Sequence, residues 1–348
     1  MLSTVFDLDV KHGLRQGSIC GPLFFIVVTH SLPFDLSGDL VYRNEDGSMR
    51  CDGGSMCYAD DTNNDRSAKN AESVVTGLNA SAQALTEASG RLELALNPSK
   101  TQLLYAGPKF LTSAAEALPL NVNGAPIKSQ KEIEILGFTL DAKLSPEPYL
   151  TKLKTALQCA KGLAIRTRPL LLPHIHRALV CSLVNGKVGS YAASALSVRL
   201  PPSRLDPNDQ KSPASASGSA IQIVINDIAR ALLGKRRAEK ISVRALLDKS
   251  GLRSFNETAF SSAALLAWHA MNSTTHPLHK ALSMQQPDSR LRAASDGKLL
   301  SLSPKEAKVA IAANNAIKIW NAFPELRLAK SVHSAKTMVK SLSRELPI

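Results

Sequence analysis

Asp60 and Asp61 are adjacent carboxylates closing the tetrapeptide Tyr58-Ala59-Asp60-Asp61. Such a pair suits a hard divalent cation. Mg²⁺ takes oxygen ligands and is held by one or two carboxylates together with substrate phosphates. Two such ions clamp the attacking and leaving oxygens of an in-line phosphoryl transfer. Asp-Asp in isolation is most often a solvated turn, because the short side chain bonds nearby backbone N–H groups. The surroundings here select the metal-binding reading. Gly53-Gly54 precedes a short strand candidate, Ser55-Met56-Cys57-Tyr58-Ala59, and Thr62-Asn63-Asn64-Asp65 follows as a turn signal. The expected arrangement is strand, Asp-Asp, turn: a hairpin presenting carboxylates at its tip.

Three more blocks stand in order around this pair. Upstream, Gly13-Leu14-Arg15-Gln16-Gly17-Ser18 is followed by Gly21-Pro22-Leu23-Phe24, a Gly-rich turn feeding a helix. Downstream come Leu96-Asn97-Pro98-Ser99-Lys100-Thr101 and then Ile135-Leu136-Gly137-Phe138. Over residues 11–140 this series resembles the palm of a reverse transcriptase, most closely that of non-LTR (LINE-type) retrotransposons. The resemblance implies RNA-directed DNA polymerase chemistry, with Mg²⁺ or Mn²⁺ as cofactor and an RNA template, a DNA primer and deoxynucleotides as partners. It makes Asp60 the more direct metal ligand and Asp61 a supporting one. It sets Tyr58 against the primer end or the nucleotide, where the alternative is an ordinary strand aromatic. Gln16 would sit near the nascent base pair, with Gly17 letting the backbone approach closely. Arg15 would meet phosphate or remain a solvated surface cation. Lys100 would face the triphosphate as a point charge or proton donor; the other reading is a helix-start cation. Leu136 and Gly137 would form the primer grip.

The chain also departs from that family. Its palm requires a third carboxylate on a separate strand upstream of the Gln-Gly block, joined to it by a long helical connection. Fifteen residues precede Gln16, whereas a strand of ~5 residues, a helix of ~11 and their loops need more. Asp7 and Asp9 lie on Thr4–Val10, which alternates as the strand entering Gly13, a strand that does not carry the catalytic Asp in the family. The expectation is an N-terminally truncated polymerase without fingers or endonuclease, inactive on its own. Phe25 and Ser31 also stand where the family usually has Asn and an acidic residue.

The expected fold class is α+β. Residues 1–145 form a partial polymerase palm (antiparallel sheet with helices). An all-α thumb follows at 146–200, a flexible linker at 201–219 and a helical, basic C-terminal region at 220–348. The apolar residues carry the helical readings: Leu150, Leu153 and Leu157, then Ile175, Leu179 and Leu183, then Ile221, Val224, Ile225, Ile228 and Leu232, recur at spacings of one to four. Lys211-Ser212-Pro213-Ala214-Ser215-Ala216-Ser217-Gly218 carries the linker.

The net charge of +13 conceals a partition: residues 1–150 hold 12 Lys/Arg against 18 Asp/Glu, and residues 151–348 hold 30 against 11. A C-terminal surplus of that size favours polyanionic partners. By resemblance, Lys152, Lys154, Lys161, Arg166 and Arg168 of the thumb would contact phosphates. Lys235-Arg236-Arg237 serves either nucleic acid or the C-terminal end of its own helix. Five scattered cysteines without a Cys-x-x-Cys fit a reducing compartment and supply no zinc site. The resemblance implies an intracellular location, nucleus or cytoplasm. His174 and His176 read as a surface or loop pair. Leu23–Val28 is far below the ~20 apolar residues needed to span a bilayer, and no membrane partner is expected. Nothing in the pattern specifies an oligomeric state.

Several functions stay open at this point: a truncated reverse transcriptase, a non-catalytic nucleic-acid-binding remnant using the basic helices, a viral-type RNA polymerase, and an inert product with an exposed sheet edge. Ala59 before the Asp pair, where viral palms commonly carry Gly, and the Gln-Gly-Ser block both argue against the third.

Overall fold

The computed structural model describes residues 52–58, 61–204, 216–276, 278–279, 282, 297–302 and 310–347. These form a mixed α+β protein, mostly helical, with small antiparallel sheets. They fall into two compact units. The first holds the described residues up to Ile135 with Asp141–Lys143; the second holds Leu136–Leu140 and the described residues from Leu144 onward.

In the first unit, β1 (Asp52–Tyr58) pairs antiparallel with β2 (Asp61–Ser67), Tyr58 opposite Asp61 and Asp52 opposite Ser67. Thr62–Asp65 is therefore strand rather than the expected turn. Each of its residues has a partner on β1, from Cys57 to Gly54, and ladder pairing overrides the local turn preference of Asn and Asp. The chain then enters α1 (Ala71–Arg91), whose N-cap Asn70 accepts a 2.7 Å hydrogen bond from the Ser73 amide. Glu72 in its first turn and Arg91 in its last complement the helix dipole. Val75 of α1 packs with Leu103, Tyr105, Leu120 and Ala115 of α2 (Lys109–Glu116) in a small core. Asn79 clamps the following strand: its amide donates to the Pro119 carbonyl at 2.9 Å and its carbonyl accepts from the Asn121 amide at 3.0 Å. β3 (Asn121–Val122) and β4 (Ala125–Pro126) turn at Asn123-Gly124, with φ of 50° and 75°. Asn-Gly is the pair that such a tight hairpin favours. The strands β5 (Glu132–Ile135) and β6 (Phe138–Asp141) are joined by Leu136-Gly137.

The second unit is helical beyond β6: α3 (Glu147–Thr167), α4 (Pro173–Gly189), α5 (Ala192–Ala195), α6 (Ala216–Leu233), α7 (Val243–Ser250), α8 (Phe255–Asn272), α9 (Ile311–Ala322) and α10 (Val332–Leu342). Pro148 sits in the first turn of α3, where its missing N–H costs nothing. Leu150, Leu153 and Leu157 of α3 are buried as their spacing predicts, against Ile221, Ile225 and Ile228 of α6 in one hydrophobic core. α8 opens on a capping box formed by Ser254 and Glu257. Its Ala259, Ala263, Ala264 and Ala267 are fully buried, and small side chains let α5, α9 and α10 approach it closely. One core runs from Tyr149 to Leu346, so the thumb segment and the C-terminal region fold together rather than as separate bodies.

Three expectations about these helices are corrected. On α4 the inward stripe is His176, Val180, Val184 and Val188, while Ile175 and Leu179 are 46% and 44% exposed. The period of four was right and the face was wrong by one residue. The two histidines lie on this helix, not in a loop. His174 is exposed, and buried His176 meets the Ala164 carbonyl through Nε2 at 2.9 Å. Helix α6 begins at Ala216, inside the expected linker 201–219; Ser217 Oγ donates to Glu147 Oε2 at 2.6 Å, giving a polar start a partner. Pro202–Arg204 is a short 3₁₀ helix, and residues 205–215 lie outside the described residues.

Irregular backbone after α5 is satisfied by buried asparagines. Asn315 of α9, with no exposure, donates to the Ala193 and Leu196 carbonyls at 2.8 and 2.7 Å and accepts from the Val198 amide at 3.0 Å. Asn256 of α8 accepts from the Arg199 amide at 2.9 Å and donates to the carbonyls of Arg199 and Pro347, both at 3.0 Å. No described helix is long and apolar enough to cross a membrane. Replacing Asn315 with Leu leaves three buried backbone groups unpaired, each costing about 1–3 kcal/mol. The expected loss of stability is about 3 kcal/mol or more, read as a lowered urea midpoint with an unchanged m-value.

Candidate functional site

The carboxylate hairpin is positioned by β-sheet register. Tyr58 and Asp61 face each other across the β1–β2 ladder, so only Ala59 and Asp60 separate the two strands in sequence. Asp61 is the first residue of the returning strand and is exposed. Asp60 itself lies outside the described residues, as does the block Arg15, Gln16 and Gly17. Among the described residues no group of three or more His, Cys, Asp or Glu side chains could hold a metal ion. Asp61 is the one described carboxylate at this bend.

Lys100 lies on a polar turn, not at a helix start. Asn97 Oδ1 accepts from the Ser99 amide at 3.0 Å and from Ser99 Oγ at 2.7 Å, while Thr101 Oγ1 donates to the Asn97 carbonyl at 3.0 Å. This leaves the Lys100 side chain exposed on a braced turn. Asn123 of the β3–β4 turn donates to the Leu96 carbonyl at 2.8 Å, tying the segment to its neighbour.

Leu136 and Gly137 belong to the second unit. Both have positive φ, 50° and 84°. For leucine that conformation costs roughly 1–2 kcal/mol. The surrounding side chains hold it: the Tyr191 hydroxyl donates to the Leu136 carbonyl, and Phe138 stacks on Tyr149 with ring centroids 4.7 Å apart. Tyr191 completes the trio at 5.3 Å from Phe138 and 5.5 Å from Tyr149. Burial, reinforced by Tyr191, pushes the Tyr149 phenol up to about 12, so it stays neutral. The aromatic clamp thus holds the turn in a single strained conformation.

The cationic side chains divide into two groups. Asp227 of α6 is nearly buried and collects three of them. It accepts from Lys161 Nζ at 2.9 Å and from Arg237 Nη2 and Nε at 2.7 and 3.1 Å, with Arg230 Nη1 at 3.7 Å. Burial pushes the Asp227 carboxyl up, but the hydrogen bonds from Arg237 and Lys161 outweigh it and hold the group below its ordinary value. Lys161, expected as a phosphate contact, is therefore engaged inside the protein. Arg168, Lys235 and Arg236, together with the same Arg230, line a cleft of about 660 Å³ at the ends of α3 and α6. Arg230 and the role of Asp227 were not legible as a site, although the signal existed: Asp227 is the sole acid of its helix.

The sign of the Asp227 contribution follows from its depressed value. The stabilisation is complete above the unfolded-state range near 4 and is lost as pH falls through the lower folded value. Lys161 and Arg237 are 38% and 71% exposed, so solvent screening keeps the gain small. Asp227→Asn is expected to lower the urea midpoint at about pH 7, with the gap to the parent narrowing as pH falls below about 4.

No family model matches this chain, and no curated protein or solved structure matches it either.

Proposed function

We propose that the chain is a portion of a non-LTR reverse transcriptase, with a palm segment bearing Asp60 and Asp61 followed by helices that hold the template–primer. The observation that carries this reading is the β1–β2 register, which leaves two residues between Tyr58 and Asp61 at the point where the sequence reads Ala59-Asp60. A hairpin bend with adjacent carboxylates suits a pair of Mg²⁺ ions, which would offset charge on the transferring phosphoryl group and favour attack by a primer hydroxyl. Lys100, exposed on its turn, would meet the triphosphate. The Leu136-Gly137 turn would bear on the primer strand. The cationic cleft of the second unit supports a second reading, a non-catalytic nucleic-acid binder.

Metal binding separates the two. Mn²⁺ titration of the full chain, followed by water-proton relaxation, should show a site whose affinity falls roughly tenfold, about 1.4 kcal/mol, in the Asp60→Asn/Asp61→Asn variant. An unchanged affinity sinks the polymerase reading and leaves the binder. With an RNA template, a DNA primer and deoxynucleotides, residues 1–348 are expected to give no extension product, because Asp60 and Asp61 supply two of the three carboxylates that a palm uses. Extension abolished by Asp60→Asn would overturn that part.

A further inference from the structure

We propose that the cleft between the C-terminal ends of α3 and α6 binds the phosphodiester backbone of a nucleic acid, without reading its bases. The inference rests on the proposal that the helical unit holds nucleic acid, and it assigns the contact to particular residues.

Charge is the first argument. Around this cleft, Lys161, Arg168, Arg230, Lys235, Arg236 and Arg237 face two carboxylates, Asp227 and Glu239. Asp227 takes up Lys161 and Arg237, and Glu239 pairs with Lys235 at 2.8 Å. Among the described residues neither Arg168 nor Arg236 forms a side-chain ion pair, and Arg236 meets Glu239 Oε1 through its backbone amide at 3.0 Å. Both helices also end here, and each C-terminus offsets only about half a positive charge. That leaves several cations uncompensated in one concavity, and bringing like charges together is unfavourable unless an anion completes the site.

Backbone shape is the second argument. Gly234 sits at φ +66° just past α6, and the end is closed by the Lys235 amide on the Arg230 carbonyl at 2.9 Å and the Gly234 amide on the Ala231 carbonyl at 3.4 Å. A Cβ on Gly234 would overlap the Arg168 guanidinium. Glycine thus serves twice: it turns the helix end and lets Arg168 lie across it, in the same cleft as Arg236.

The lining specifies the ligand class. Apart from the cations the cleft offers Ile165, Pro169, Ala231 and Gly234. Among the described residues it has no aromatic ring on which a base could stack and no amide side chain to pair with a base edge. Guanidinium groups bind phosphate oxygens through paired N–H donors. The site therefore fits successive phosphates of a strand, contacted irrespective of sequence.

The test uses the full chain and a fluorescein-labelled mixed-sequence DNA duplex, with anisotropy measured across a salt series. Arg168→Gln/Arg236→Gln should weaken binding roughly tenfold near physiological salt and reduce the slope of log K against log[salt] by about 1.8, two phosphate contacts' worth. Lys336→Gln/Lys340→Gln on α10 removes the same charge from exposed positions elsewhere and should leave slope and affinity within about twofold. Gly234→Asn, which tolerates the left-handed backbone but displaces Arg168, should reproduce the loss from Arg168→Gln alone. Equal losses in the two double variants, or no loss in the first, overturn the cleft while leaving nucleic-acid binding by the chain intact. Absence of binding by the parent chain even at low salt overturns both.

Discussion

A carboxylate taken out of water costs several kcal/mol unless cations and hydrogen bonds meet it. Asp227 imposes that constraint on the helical unit. It stands on the inward side of α6, among Ile225, Ile228 and Ala229, which have no exposure, so its partners must come to it. Lys161 reaches it from α3 and Arg237 from the chain beyond α6. These contacts add to the apolar packing of α3 against α6 and tie the chain beyond Gly234 back to α6. The cleft exists because of that return. Arg168 and Arg236 are brought to one place by a carboxylate that neither of them touches.

The remainder of the unit meets the same rule with neutral groups. Between α5 and the 3₁₀ turn at Pro202–Arg204 the backbone makes no helix or sheet ladder, yet Val198 and Leu200 are buried. Asn315 and Asn256 supply the missing partners, one from each of two helices distant in sequence. An amide side chain offers both donor and acceptor, which explains why asparagine, a poor helix former, is retained in the middle of α9 and near the start of α8. Segments before and after the Pro/Ser/Ala stretch are thereby fastened into a single core.

Much of this was legible as period and little as partner. Leu150, Leu153 and Leu157 announced both a helix and its buried face. Ile175, Leu179 and Leu183 announced a helix but not its face, because His176 was set aside as a polar residue when it is buried against the Ala164 carbonyl. Asn123-Gly124 was a readable turn. Thr62–Asp65 also looked like one, but strand partners five to eleven residues upstream outweighed the local preference. Lys161 could be seen as a cation on a helix. That it is engaged depends on Asp227, 66 positions away, and no local pattern carries such a pairing. At the candidate hairpin the sequence identified the first strand, while the ladder moves the bend back to Ala59-Asp60.

The charge partition gives these parts a common logic. The acidic N-terminal portion repels a polyanion and attracts divalent cations; the basic C-terminal portion does the reverse. A nucleic acid approaching the chain would be held first by the helical unit, through phosphate contacts that release counterions. The carboxylate hairpin would tolerate a phosphate only with metal ions interposed, since two carboxylates and a phosphate repel one another in their absence. Metal and nucleic acid are thus expected to bind with mutual support at the hairpin and independently at the cleft, where cations alone suffice.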